Sequence, residues 1–139
     1  MDSRLHTPAL ALRVAVGLMA TLAGLDKFFN LLADWGSYVS PAAAALLPVS
    51  TDALMALVGI VELAVGVMIL AAAPAIGAYV ASAWLLLVAG NLVLGGHFDV
   101  AVRDVVLAIA AFTLARLTET QRAHEPGTAA AQPARRVTA

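Results

Sequence analysis

Four long apolar runs, separated by short polar segments, dominate the pattern of the chain. They cover residues 8–32, 53–73, 74–94 and 98–117. A membrane-spanning helix needs roughly 20 mostly apolar residues, and each run reaches that length. Pro74 fits the first turn of a helix, and the Gly95-Gly96 pair favours a turn after the third run. The pattern therefore predicts an all-α fold, an integral membrane four-helix bundle within residues 1–117.

Composition favours lipid as the main surroundings of the chain. The chain is 62% hydrophobic and 12% charged, whereas a soluble domain is roughly 45–50% apolar and about 25% charged. Cysteine is absent, which excludes disulfides and any thiol chemistry carried by this chain alone. A net charge of -1 gives no field that would attract nucleic acid. We expect the lipid bilayer as a partner and no nucleic acid.

The distribution of basic residues predicts the orientation. Arg4 and Arg13 lie at the N-terminal end, and four further arginines follow position 115, whereas the segments after the first and third runs carry no Lys or Arg. By the positive-inside rule, both termini are cytoplasmic. We expect a multi-pass protein of a bacterial-type plasma (inner) membrane. Residues 118–139, rich in Ala, Pro, Gln and Arg, are predicted to be a disordered cytoplasmic tail.

An alternative for the first run is a cleaved signal peptide, with Thr21-Leu22-Ala23 as a cleavage-like site. The run is long for such a signal, and Asp26-Lys27 follow directly beyond the site. A membrane span is therefore the favoured interpretation.

Polar residues interrupt all four apolar runs. They are Asp26, Lys27, Glu62, Asn91, Arg103 and Asp104. At a rise of ~1.5 Å per residue, all six fall in the outer half of the bilayer, with Glu62 deepest at ~14 Å. Charges within a membrane are costly, so these side chains are expected to face one another. If Lys27 and Arg103 pair with two of the acids, one acid remains, and Glu62 near the midplane is the candidate for a proton-carrying role.

Small residues predict which helix faces meet. Gly17, Ala20, Gly24 and Lys27 follow Arg13 in steps of three and four, and Gly59, Glu62 and Gly66 do the same in the second run. Stripes of small residues let helices approach closely. A non-functional alternative is that Asp26, Lys27, Arg103 and Asp104 form a purely structural ion-pair network, with Asn91 as an interhelical hydrogen-bonding residue. No metal-site spacing is present, so no metal site is predicted.

Three motifs resemble those of the DoxX family of small four-helix membrane proteins. They are Gly24-Leu25-Asp26-Lys27-Phe28, the Gly59-Ile60-Val61-Glu62 segment that continues to Gly66, and the Arg103-Asp104 pair. Their order, and the length of the chain from about Arg13 to Arg116, are also similar to that family. The family's namesake is a subunit of a thiosulfate:quinone oxidoreductase. The resemblance thus implies a membrane subunit of a redox complex, at most part of an oxidoreductase, with a protein partner or a homo-oligomer.

These observations give three functional hypotheses. In the first, an outer-half pocket binds a quinone-like head group; Glu62 and Asp104 exchange a proton, and Asp26, Lys27, Asn91 and Arg103 bind the ligand. In the second, the chain is a non-catalytic membrane scaffold or assembly protein. In the third, it is a small-solute or proton transporter, because intramembrane acids often mark such pathways.

Overall fold

A computed structural model describes residues 5–124, and this part of the chain is all-helical, without a strand. The helices are α1 (His6–Asp26), α2 (Pro41–Leu46), α3 (Thr51–Val67), α4 (Pro74–Leu94) and α5 (Phe98–His124). A 3₁₀ turn, Trp35–Tyr38, precedes α2, and a π-helical turn, Met68–Ala72, continues α3. The expectation of an all-α fold is confirmed.

Local sequence explains where the helices begin. The hydroxyls of Ser40 and Ser50 accept hydrogen bonds from the backbone N–H groups of Ala43 and Ala53, which caps α2 and α3. Pro74 occupies the first turn of α4, where its missing N–H costs nothing. These caps set the boundaries of the three central helices.

The four long helices run antiparallel to their sequence neighbours. Helix α3 packs along α1, α5 packs along α4, and α1 also contacts α5. We call the end where α1 and α4 finish the Trp35 end, and the opposite end the Arg13 end. A shared core contains Val16, Val65, Ile69, Ala78, Ala81, Ala111, Leu114 and Ala115.

Three helical segments are long and apolar enough to cross a membrane: His6–Asp26, Thr51–Ala72 and Pro74–Leu94. Their outward faces are apolar as well, with Leu22 54% and Leu87 66% exposed. A helix that is apolar on all sides suits a lipid environment. These features are consistent with a multi-pass membrane protein.

Helix α5 differs from these three in its charges. Asp99, Arg103 and Asp104 lie near its start, and Arg116, Glu119 and Arg122 near its end, so that only residues 105–115 form an uncharged stretch. By length and composition, α5 is therefore not among the three candidate spans that the described residues contain.

Two helix ends differ from the predicted segments. Helix α1 ends at Asp26, whereas the first run was predicted to extend to Leu32. Helix α5 continues to His124, beyond the predicted end at Leu117. Residues 118–124 are thus helical where disorder was predicted. The rest of the predicted tail, residues 125–139, lies outside the described residues.

Candidate functional site

Close contact between α1 and α3 creates the centre of the candidate site. A Cβ atom added to Gly24 would lie 2.8 Å from the carbonyl oxygen of Gly59, and one added to Gly59 would lie 2.7 Å from that of Gly24. The two backbones therefore touch directly, as the small-residue stripes predicted. This contact brings the side chains three residues further on, Lys27 and Glu62, to the same place.

Lys27 and Glu62 form an ion pair, with 2.5 Å between Nζ and Oε2. Only 5% of the Lys27 side chain and 14% of the Glu62 side chain are exposed. The Lys27 ammonium also donates to the carbonyl of Ala23 at 3.5 Å and lies 3.8 Å from the ring centroid of Trp35. Glu62 is thus the partner of Lys27, and the expectation that Glu62 is the acid left unpaired is wrong.

Asp26 lies next to this pair in sequence but has a different role. Its carboxylate accepts the backbone N–H groups of Leu31 and Leu32, each at 2.9 Å, and the indole N–H of Trp35 at 2.8 Å. The loop that follows α1 has backbone N–H groups outside any helix, and these donors need acceptors. Asp26 supplies them, so its carboxylate organises the loop after α1 and does not face another helix.

Asn91 is likewise occupied within the protein. Its Oδ1 accepts the backbone N–H of Ser40 at 3.0 Å, and its Nδ2 donates to the carbonyl of Tyr38 at 2.8 Å. Ser40 is completely buried. Asn91 therefore ties the segment before α2 to α4, and both ends of its amide group are used in doing so.

Of the predicted site residues, the two on α5, Arg103 and Asp104, have the fewest polar contacts. Asp104 is half-buried and close enough to Glu62 and Lys27 for their charges to act on its carboxylate. Arg103 is exposed. Within residues 5–124, neither side chain forms a hydrogen bond or an ion pair, so Asp104 takes the place that the sequence analysis gave to Glu62.

An open cleft of about 320 Å³ lies at the Trp35 end, beside Lys27. Its lining includes Lys27, Phe28, Asn30, Asp34, Asp52 and Met55. Lys27 is among the residues that line the cleft, whereas Glu62 and Asp104 are not. Lys27 therefore borders the cleft and also pairs with Glu62.

Two contacts of this region were not foreseen from the sequence. The indole of Trp35 covers Lys27, a contact that no spacing in the sequence indicates. At the opposite end, the Arg13 guanidinium donates to the carbonyls of Ile69 and Leu70, at 2.9 and 2.6 Å, where the π-helical turn leaves acceptors free. The helical spacing of Arg13 and Lys27 predicted their shared face, but not these partners.

Metal binding finds no support in the described part of the chain, which contains no group of three or more His, Asp or Glu side chains able to hold an ion. His97 instead packs edge-on against Tyr38, with 5.0 Å between the ring centroids.

Comparison of the chain with protein-family models, with curated proteins and with solved structures finds no match.

Proposed function

We propose that this chain is a DoxX-like membrane subunit of a redox complex, which binds a quinone-like head group in the cleft beside Lys27. In this proposal the chain crosses a bacterial-type plasma membrane four times, with both termini in the cytoplasm and the Trp35 end facing outward. Helix α5 would be the fourth span. Its antiparallel packing along α4 and the arginines at the Arg13 end support that topology.

The observation that carries the proposal is the position of Lys27 between the cleft and Glu62. A buried charge in a membrane is costly, and the ion pair with Glu62 compensates for it. Asp104 adds a second acid from another helix, without a hydrogen-bond partner among residues 5–124. Three ionisable groups from three parts of the chain thus lie close together.

The cleft is large enough for a single-ring head group. Small-molecule sites typically occupy ≈300–1,000 Å³ and combine apolar walls with few polar groups. At about 320 Å³ the cleft is at the lower end of that range, and its walls combine the apolar Phe28 and Met55 with the polar Asn30, Asp34 and Asp52. A bound quinone would supply the capacity to take up electrons and protons.

The residues of the chain would then divide the work. The Lys27 ammonium donates to a carbonyl oxygen of the ligand, and Glu62 and Asp104 hold and release a proton behind it. Arg103, which is exposed on the same turn as Asp104, would be a second donor to the ligand. Asp26 and Asn91, predicted as ligand-binding residues, act instead through the loops that they hold, because their polar atoms already have partners.

Quinone binding to the purified protein tests this proposal. The chain is isolated in mild detergent, its lipid-soluble cofactors are extracted, and the affinity for a short-chain quinone is measured by calorimetry. Glu62→Gln should bind at least about tenfold more weakly, because the Lys27 ammonium loses the charged partner that holds it beside the cleft, and hydrogen bonds to charged groups contribute ≈1.5–3 kcal/mol. Asp99→Asn, the same kind of change at an exposed position of α5, is the matched control and should bind like wild type. Absence of binding by wild type, or equal binding by Glu62→Gln, contradicts the proposal.

A second candidate, a non-catalytic scaffold, has one specific observation in its favour. Asp26, Lys27 and Asn91 all find partners inside the chain, as residues of a structural network do. Under this alternative, Asp104→Asn leaves the function of the complex intact. Loss of function in a folded, correctly inserted Asp104→Asn protein would count against it.

A further inference from the structure

We infer that Trp35, fixed by Asp26, is a positioning residue that holds the Lys27 ammonium against Glu62 and shields this pair at the Trp35 end. The shielding is a property of the chain itself. Its consequence for a ligand rests on the proposed function: a planar head group entering from the cleft would compete with the indole for the same cation.

The geometry of Trp35 carries this inference. The indole centroid lies 3.8 Å from Lys27 Nζ, within the range of a cation–π contact. The ammonium is thus bounded by Glu62, by the Ala23 carbonyl and by the ring. A lysine side chain at the end of a helix would ordinarily extend to water. Here the Lys27 side chain is 5% exposed, and the Trp35 ring lies over its ammonium group.

The loop after α1 holds Trp35 in that position. Asn30 adopts a left-handed conformation with φ 52°, which reverses the chain, and its Oδ1 accepts the backbone N–H of Trp35 at 3.3 Å. The Asp26 carboxylate accepts the indole N–H. Trp35 is therefore fixed by one hydrogen bond at its backbone and one at its indole. Neither bond involves a residue of another helix.

Chemical labelling can measure the shielding directly, because Lys27 is the only lysine of the chain. The full-length protein in nanodiscs is treated with a water-soluble N-hydroxysuccinimide ester, and acylation of the Lys27 peptide is followed by mass spectrometry. A Val49→Lys substitution introduces a reference amine at a position that is 55% exposed and outside the helices. Helix content by circular dichroism confirms that each variant is folded.

Three variants distinguish the effect of the Trp35 ring from that of the hydrogen bond that holds it. Trp35→Ala should raise the Lys27 labelling rate about tenfold, as loss of a cation–π contact to a desolvated ammonium implies. Asp26→Asn should raise the rate less, since the ring remains but one of its bonds weakens. Trp35→Phe, which keeps a ring and loses the N–H, should restore most of the protection. Trp84→Phe, the same kind of change at a tryptophan of α4, should label like wild type.

The outcomes distinguish this inference from the proposed function. If wild-type Lys27 reacts as fast as the reference lysine at position 49, the shielding is refuted without any further variant. Equal rates for Trp35→Phe and Trp35→Ala would refute the positioning role of the ring. If the labelling order holds but wild type binds no quinone, the redox proposal fails and the role of Trp35 stands. If quinone binds and labelling is unaffected by Trp35→Ala, the reverse conclusion applies.

Discussion

The α1–α3 and α4–α5 pairs show two different ways of joining helices. Helices α1 and α3 meet backbone to backbone at Gly24 and Gly59 and place a buried ion pair beside that contact. Helices α4 and α5 meet through buried alanines, with the Ser82 hydroxyl donating to the carbonyl of Ala108 as a polar contact. In lipid, where apolar burial drives association little, both solutions rely on close packing. Only the first also buries an ion pair, whereas the carboxylate contact of the second pair, from the Tyr79 hydroxyl to Glu119, is exposed.

The largest effect should come from breaking the ion pair. Lys27→Met leaves the Glu62 carboxylate in an apolar region without its cation, and removal of one partner of a buried pair typically costs about 3–5 kcal/mol. SDS-induced unfolding in mixed micelles measures this change. The double variant Lys27→Met, Glu62→Leu should recover much of the loss, because no unpaired charge remains. A single variant as stable as the double variant would show that the pair does not join α1 to α3.

The glycine contact offers the next largest effect and a matched control. Gly59→Ala introduces a methyl group 2.7 Å from the Gly24 carbonyl oxygen, and such overpacking costs about 1–3 kcal/mol. At Gly90, on α4, an added Cβ meets no atom within 4 Å. Gly90→Ala should therefore be neutral, or stabilising by about 0.5–1 kcal/mol through its helix propensity. Equal effects of the two substitutions in the same unfolding experiment would remove the distinction between the two helix pairs.

The α1–α3 contact was predictable because it depends on helical spacing alone. One helix face contains Gly17, Gly24 and Lys27, and another contains Gly59, Glu62 and Gly66. If these two faces meet, few residues of one can contact each residue of the other. The ends of the helices were less predictable. That α1 stops at Asp26 depends on a carboxylate bonded to residues five, six and nine positions later, around a left-handed Asn30. Hydropathy does not encode such a reversal.

The partners across elements also lay beyond the sequence pattern. Asn91 was assigned to the ligand or to a neighbouring helix, whereas it binds the backbone of the segment before α2. The acid left without a partner proved to be Asp104, because two glycines bring Glu62 to Lys27 first. Functional roles for Glu62, Asp104 and Arg103 stay predictions, to be decided by ligand binding.

Asn91 allows the comparison to be extended to the junction between the helix pairs. Asn91→Leu removes both partners of the Tyr38–Ser40 backbone and should cost about 1–2 kcal/mol, the range found for interhelical hydrogen bonds in model membrane peptides. Hydrogen exchange at the amide of Ser40 should accelerate in this variant while exchange in α5 stays unchanged. Uniform acceleration throughout the chain would mean that Asn91 supports the whole fold and not this segment.

The smallest effect is expected at the polar contact of the second pair. Ser82→Ala removes the hydroxyl that bonds to the Ala108 carbonyl and leaves the small side chain that lets α4 and α5 approach. Measured interhelical hydrogen bonds in a membrane bundle average ≈0.6 kcal/mol, so the unfolding free energy should fall by about that amount. Ser82→Val also lacks the hydroxyl and adds bulk at a buried position, so it should lower the unfolding free energy further. If Ser82→Ala instead destabilises as strongly as Lys27→Met, then α4 and α5 also depend on a buried polar contact, and the contrast between the two helix pairs fails.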